Sequence, residues 1–155
     1  MLPAAPLVHL ETVAALKGMA MDRVYQLVDE GELLWTFNLA TRPGGLRDLR
    51  VWAGELMDPG VRQLPLEQVV SRIIGTSRVR LRGAELNFLL AISRPHLLRL
   101  CRARQLKFQI EAHTRWVARD SLVAFLQRRW LGAALAAGDL PKTACESGSP
   151  VLSSI

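Results

Sequence analysis

The sequence has few of the residues that build metal sites or disulfide frameworks. Only two of its 155 residues are cysteines, Cys101 and Cys145, and they lie 44 positions apart. That spacing is typical neither of a metal site nor of a disulfide scaffold, and it favours a reducing, cytoplasmic setting. The three histidines, His9, His96 and His113, also lack the spacing of metal ligands. We therefore expect no metal centre.

Long hydrophobic runs and catalytic motifs are also missing. No apolar stretch approaches the ~20 residues of a membrane span, and the first residues lack the basic segment of a signal peptide. The chain has no Gly-rich phosphate loop, no dinucleotide fingerprint, no paired carboxylates and no nucleophile elbow around Ser93. These absences predict that the protein is not an enzyme, takes no cofactor and does not contact a membrane.

Basic charge is what the sequence does contain, and it lies mainly in the second half. The formal net charge is +6. Residues 10–57 carry five basic and seven acidic side chains, whereas residues 58–132 carry fourteen basic and five acidic ones. Thirteen of those fourteen are arginines, which suit bidentate contacts with phosphate or guanine. The second half is therefore the better candidate for contact with nucleic acid.

An internal repeat with an offset of 73 positions organises the chain. Residues 14–35 align with residues 87–108, so that Val24 matches Leu97. Each copy predicts a short helix, a tight turn, an amphipathic helix and a strand hairpin. The predicted fold is α+β, mainly helical with short hairpins, in two small units that pack together because neither is large enough to be stable alone.

The predicted domains follow from this repeat and from the turn signal Asp58-Pro59-Gly60. They are a first unit (8–57), a linker with a short helix (58–77), a second unit (78–132) and a disordered tail (133–155). Helices are predicted over about 10–17, 21–30, 65–74, 84–91, 94–103 and 120–130. Strands are predicted over about 33–39, 46–52, 79–81, 106–111 and 114–117. Ser93 occupies the N-cap position of the helix 94–103.

The segment from Arg82 to Arg129 resembles the excisionase-like, MerR-related winged helix-turn-helix family. The resemblance is carried by a helix at 84–91, the turn Ile92-Ser93, the helix 94–103, the turn Gln105-Leu106, the wing pair Arg115-Trp116 and the closing helix from Arg119. Arg104 departs from the family pattern, which usually has glycine there, as the first copy has Gly31. The resemblance implies tandem winged helix-turn-helix units and a protein that binds double-stranded DNA, such as a recombination directionality factor of a phage or mobile element.

Three groups of side chains in the second unit are candidate DNA ligands. Base edges in the major groove are expected to meet residues of the helix 94–103, namely Arg94, His96 and Arg99. Phosphates are expected to meet the basic residues at the far end of that helix, namely Arg102, Arg104 and Lys107. Flanking backbone or minor groove is expected to meet the wing residues His113, Thr114 and Arg115 and an alternating stripe of Arg78, Arg80 and Arg82.

The acidic side chains of the first unit indicate a different role for it. Its second helix carries Asp22, Asp29 and Glu30, which would repel phosphates, and Ala20 stands at its cap position. This unit suits a homodimer, a cooperative oligomer or a protein partner such as an integrase. Two alternatives to the excisionase role stay open: a transcriptional repressor at promoter DNA, and an antagonist that binds another regulator. Either way, the expected location is the bacterial cytoplasm, on the nucleoid.

The aromatic residues have two interpretations. Trp35, Trp52, Phe108 and Trp116 occupy matching places in the two predicted hairpins. They could stack on the bases of a single strand. Their symmetric placement instead predicts that they are core anchors.

Overall fold

The computed structural model describes residues 5–42, 46–76 and 78–132. The predicted tail at 133–155 and part of the predicted turn, residues 43–45, lie outside the described residues. Within the described ranges the fold is α+β, with seven α-helices and two three-stranded antiparallel sheets, which confirms the predicted class. None of these helices combines the length and the apolar character needed to cross a bilayer.

The described elements fall into two series with a connecting segment. The first unit contains β1 (Leu7–His9), α1 (Leu10–Lys17), α2 (Met21–Asp29), β2 (Thr36–Asn38), β3 (Leu49–Trp52) and α3 (Ala53–Met57). The connecting segment contains a 3-10 helix (Pro59–Gln63) and α4 (Leu66–Ile74). The second unit contains β4 (Arg80–Arg82), α5 (Gly83–Leu90), α6 (Arg94–Arg102), β5 (Phe108–Glu111), β6 (Thr114–Ala118) and α7 (Arg119–Arg129).

The two units share one topology. Each runs strand, helix, helix, strand, strand, helix, and the sheet orders β1-β3-β2 and β4-β6-β5 are the same. Left-handed backbone also recurs 73 positions apart: Gly18 matches Ala91, and Gly31 matches Arg104. The structure therefore repeats its local geometry at the spacing of the sequence repeat, although the second copy holds two of these turns without glycine.

Local signals set the ends of α6 and α4. The Ser93 hydroxyl accepts a hydrogen bond from the His96 amide at 3.2 Å, which satisfies one of the free donors at the start of α6. Pro65 precedes α4, and Gly75 follows it with positive φ. By contrast, Ala20 begins α2 without a side-chain cap.

The hydrophobic core joins the two units. A smaller cluster lies inside the first unit and includes Val13, Val24 and Val28. A larger cluster takes Trp35 and Phe37 from the first unit, together with α4 and residues of every helix of the second. The apolar face of α4 is part of this shared cluster, so the connecting helix contributes to the core.

Polar contacts add to this joint. The second unit ends against the edge of β2, where the Leu131 amide donates to the Thr36 carbonyl at 3.0 Å. The Trp130 indole donates to the Leu34 carbonyl at 2.8 Å, and its ring stacks on Trp35 with centroids 4.9 Å apart. The second unit thereby covers the edge of the first sheet that β2 forms.

The predicted strand 33–39 is shorter in the structure because a side chain, and not a neighbouring strand, binds the backbone amides near its start. The Glu55 carboxylate accepts hydrogen bonds from the amides of Leu34 and Trp35 at 2.8 and 2.7 Å. Regular pairing begins only at Thr36. Burial raises the pKa of Glu55, while these two backbone hydrogen bonds and Arg62 act in the opposite direction.

Candidate nucleic-acid interface

Helix α6 has one buried and one exposed face. The buried face consists of His96, Leu97, Leu100 and Cys101. The exposed face consists of Arg94, Pro95, Arg99 and Arg102, with Leu98 half-buried between them. Because a helix turns every 3.6 residues, Arg94, Leu98 and Arg102 form one row, and Pro95 and Arg99 form the row beside it. The exposed face therefore presents three arginines within about two and a half helical turns.

His96 belongs to the buried face, so the prediction that it projects toward base edges is wrong. The residue is only 7% exposed. Its Nε2 atom lies 2.6 Å from the Leu39 carbonyl oxygen, and its Nδ1 atom lies 3.4 Å from Asp48 Oδ2. Burial lowers the pKa of His96, while the hydrogen bond to Leu39 and the charge of Asp48 act against that shift. The first unit covers this side of α6, which a lone unit would leave exposed.

Arg50 is a structural residue that the sequence prediction missed. It is 3% exposed, and its Nε and Nη2 atoms donate to the Ala91 carbonyl at 3.1 and 2.9 Å. Its Nη1 atom donates to Asp48 Oδ1 at 2.5 Å. Asp48 thus faces both Arg50 and His96, and this group fixes the turn that leads into α6. Its sequence signal was the alternation of Asp48 and Arg50, which places both on one side of an extended segment.

The start of α6 and the β5–β6 hairpin enclose a basic groove. Arg82, Arg94, His113 and Arg115 all line it, and its volume is about 440 Å³. Ala112 and His113 form the two-residue turn of the hairpin, and both have positive φ, as a tight hairpin turn requires. The structure therefore brings together candidate ligands from β4, α6 and the hairpin.

The two aromatic side chains of the second sheet pair with arginines. Phe108 is 38% exposed and lies under the Arg115 guanidinium, 4.7 Å from ring centroid to Cζ. Trp116 is half-buried beneath Arg80 at 4.1 Å. Trp35 and Trp52 are buried as predicted, but the prediction of a core anchor is wrong for Phe108. The reason is that β5 is an edge strand exposed along its whole length.

The far end of α6 opens into a second basic cleft. Three cations, Arg104, Lys107 and Arg128, and one carboxylate, Asp120, line this cleft of about 630 Å³ beside the start of α7. The Lys107 amide donates to the Ser121 hydroxyl at 3.0 Å, and the Lys107 residue is exposed. Arg102 is also exposed. These side chains are placed where a phosphate backbone could run along the end of α6.

The predicted stripe on β4 is compensated by carboxylates. Arg78 and Arg82 both form ion pairs with Glu85, and Arg80 pairs with Glu111 at 2.9 Å. The stripe is therefore not the free row of cations that the alternation predicted. In contrast, the ion pairs found among the described residues involve none of the cations on and beyond α6, namely Arg94, Arg99, Arg102, Arg104 and Lys107.

The acidic surface of α2 lies in the first unit. Asp22, Asp29 and Glu30 are exposed there. Arg47 lies 3.4 Å from Asp29, and Arg23 lies 3.7 Å from Glu30. These exposed pairs compensate two of the three carboxylates, and Asp22 takes part in none of the ion pairs found among the described residues.

In the part of the chain that the structure describes, no group of three or more His, Cys, Asp or Glu side chains could hold a metal ion. The chain matches no protein-family model, no curated protein and no solved structure.

Proposed function

We propose that the protein binds double-stranded DNA in a sequence-specific manner through α6 of its second unit. In this proposal both units are winged helix-turn-helix modules, α6 is the recognition helix and the β5–β6 hairpin is its wing. The observation that carries the proposal is the exposed face of α6, where Arg94, Arg99 and Arg102 have no carboxylate partner among the described residues.

The dimensions of α6 suit a major groove. An α-helix with its side chains is about 10–12 Å across, and the major groove of B-DNA, about 12 Å wide, admits a helix such as the nine-residue α6. Arginine donates two parallel hydrogen bonds to guanine O6 and N7. Arg94 and Arg99, on the first turns of α6, are the proposed base readers, and Arg102 at the last turn is a phosphate ligand.

The surrounding basic residues extend the contact along the duplex. Arg115 and His113 of the proposed wing flank Arg94 in one groove. Arg104 and Lys107 lie in the cleft beyond the other end of α6. Bound phosphates would release counterions, so the affinity should fall steeply as the salt concentration rises.

The first unit acts as a support in this proposal. Its Arg50 holds the carbonyl of Ala91 in the turn before α6, and its Leu39 carbonyl holds His96. These contacts fix α6 relative to a second folded unit, so α6 is oriented before DNA arrives. Preorganisation of this kind reduces the ordering cost of binding.

The proposed biological role is that of an excisionase, or recombination directionality factor, of a phage or mobile element. Such a protein would bind beside an attachment site and bend it, at a cost of order 1–6 kcal/mol that the added contacts offset. A transcriptional repressor would use the same face of α6 at promoter DNA.

The position of the bound sites separates these roles. The purified protein is incubated with sheared genomic DNA at about 150 mM salt, and the retained fragments are sequenced. Sites beside an integrase gene or an attachment site support the excisionase role, and sites over promoters support the repressor. A charge-matched control is Arg72→Ala, since Arg72 is exposed on α4 and lies outside the grooves around α6. Retention that Arg94→Ala strongly reduces and Arg72→Ala preserves supports α6 as the reader.

A further inference from the structure

The hairpin of the first unit is much longer than that of the second. Ten residues, 39–48, separate β2 from β3, whereas only Ala112 and His113 separate β5 from β6. The two units otherwise share their order of elements. The extra length is therefore a specific difference between the copies.

The described ends of this long hairpin lie beside α6. Ala40, Thr41, Arg42, Leu46 and Arg99 line one surface depression of about 400 Å³. Arg99 belongs to the row of α6 that also contains Pro95, on the side away from the β5–β6 hairpin. The exposed face of α6 thus has a hairpin on each side, one from each unit.

The base of the long hairpin is anchored firmly to the second unit. The Asn38 side chain accepts hydrogen bonds from the amides of Ala40 and Asp48 at 3.1 and 3.0 Å, which closes the hairpin. The buried Arg129 of α7 donates to the carbonyls of Asn38 and Ala40 at 2.9 and 2.7 Å. The Leu39 carbonyl is bound by His96. The position of this hairpin relative to α6 is therefore built into the fold.

The chemistry of the exposed residues fits a polyanion. Arg42 is exposed beside Arg99, although the unit to which Arg42 belongs is acidic overall. Leu46 is 95% exposed, which leaves its side chain accessible to the sugars of a backbone. A phosphate strand that passes along the Arg99 side of α6 would meet both residues.

We propose that the described ends of the long hairpin, residues 39–42 and 46–48, act as a second wing, and that Arg42 is a further DNA-binding residue on a phosphate at the Arg99 side of α6. This inference rests on the proposed function. The first unit then contributes directly to the DNA site, and the protein protects a longer stretch of duplex than one winged unit would.

The test compares Arg42→Ala with Arg47→Ala, which removes the same charge from the same hairpin but at a residue that pairs with Asp29. Binding to a selected duplex is measured by fluorescence anisotropy from 75 to 300 mM salt, and the site is mapped by hydroxyl-radical footprinting. We expect Arg42→Ala to weaken binding about 3- to 10-fold on every sequence, to reduce the salt slope by about 1 and to lose protection at one end of the footprint. Arg47→Ala should leave all three readouts near the wild-type values.

The outcomes separate this inference from the proposed function. If the wild-type protein binds the duplex but Arg42→Ala has the wild-type slope and footprint, the second wing is overturned and DNA binding through α6 stands. Weaker binding with an unchanged slope and footprint also overturns it, because the loss is then structural. If the wild-type protein binds no duplex, the proposed function itself fails.

Discussion

The Nε2 atom of His96 lies 2.6 Å from the carbonyl oxygen of Leu39. His96 is on the helix proposed to read DNA, and Leu39 begins the long hairpin of the other unit. This hydrogen bond therefore joins the two surfaces that flank the proposed DNA site. It also requires a proton on Nε2, which leaves Nδ1 as the atom that faces Asp48.

The buried His96 predicts that stability depends on pH. Burial lowers the pKa of His96 in the folded state, whereas the unfolded chain binds a proton at the ordinary value near 6.5. Just below pH 6.5 the unfolded state then holds more protons than the folded state does. The free energy of unfolding therefore has its full value above pH 6.5 and falls as the pH drops. Each unit of pKa difference corresponds to about 1.4 kcal/mol.

Urea unfolding between pH 5.5 and 7.5 measures this dependence. His96→Gln, which keeps a donor for Leu39, should flatten the change with pH. His113→Gln is the matched control, since His113 is exposed on the β5–β6 turn, and it should keep the wild-type dependence. An equal change with pH in wild type and His96→Gln would show that His96 is not responsible.

The contacts of Arg129 predict a large loss of stability on its replacement. This guanidinium is buried and donates to the carbonyls of Asn38 and Ala40 and to the Gln105 side chain. Arg129→Met fills similar volume but leaves those acceptors without a donor, so we expect a loss of about 2–4 kcal/mol in unfolding free energy. Arg128→Met, at the exposed neighbour, should cost less than about 1 kcal/mol. Equal costs for the two variants would contradict the account.

Much of the local structure follows from short sequence signals. The range of α1, residues 10–17, is the predicted one, and α4 begins after Pro65 and ends before Gly75 as expected. The Ser93 cap was also predictable, because a serine before Arg-Pro is a recognisable helix start. Capping and turn chemistry act over a few residues, which makes these features visible in the sequence alone.

The positions of side chains between the units could not be predicted in the same way. His96 is buried by its contact with Leu39, which lies 57 positions earlier in the sequence, and no local pattern encodes that contact. The same is true of Arg50, which binds a carbonyl 41 positions away. A side chain can also replace strand pairing: the Glu55 carboxylate accepts hydrogen bonds from two amides at the start of a predicted strand. Such long-range effects determine which arginines remain available at the candidate site.

Replacement of Arg104 by glycine is expected to change stability and DNA binding in opposite directions. It has positive φ in the turn where the first copy has Gly31. Arg104→Gly should relieve a left-handed conformation that costs roughly 1 kcal/mol for other residues, and it should weaken DNA binding by removing a phosphate ligand. Thermal unfolding and anisotropy titrations measure the two effects. Gly31→Ala is the reverse change in the other copy and should destabilise by about 1 kcal/mol. A parallel loss of stability and affinity in Arg104→Gly would assign Arg104 a structural role.

Glu85 restrains two cations near the proposed DNA site. It forms ion pairs with Arg78 and Arg82, and its carboxylate also accepts from the Arg82 amide at the start of α5. Glu85→Gln keeps an acceptor for that amide but removes the charge, so DNA affinity should rise about 3-fold with a steeper salt dependence. Glu67→Gln, an equal charge change at an exposed residue of α4, should raise affinity less. Identical gains for both variants would mean that only net charge matters.

The most direct test of the central claim is whether α6 reads sequence. Duplexes are selected from a random pool by the wild-type protein, and the winning duplex and a scrambled one are titrated at about 150 mM salt with wild type and Arg94→Ala/Arg99→Ala. We predict that wild type prefers the selected duplex at least about 10³-fold and that the double variant loses most of this preference, since each base contact contributes about 1–3 kcal/mol. Equal affinity of wild type for both duplexes, or an unchanged preference in the double variant, would contradict sequence recognition by α6.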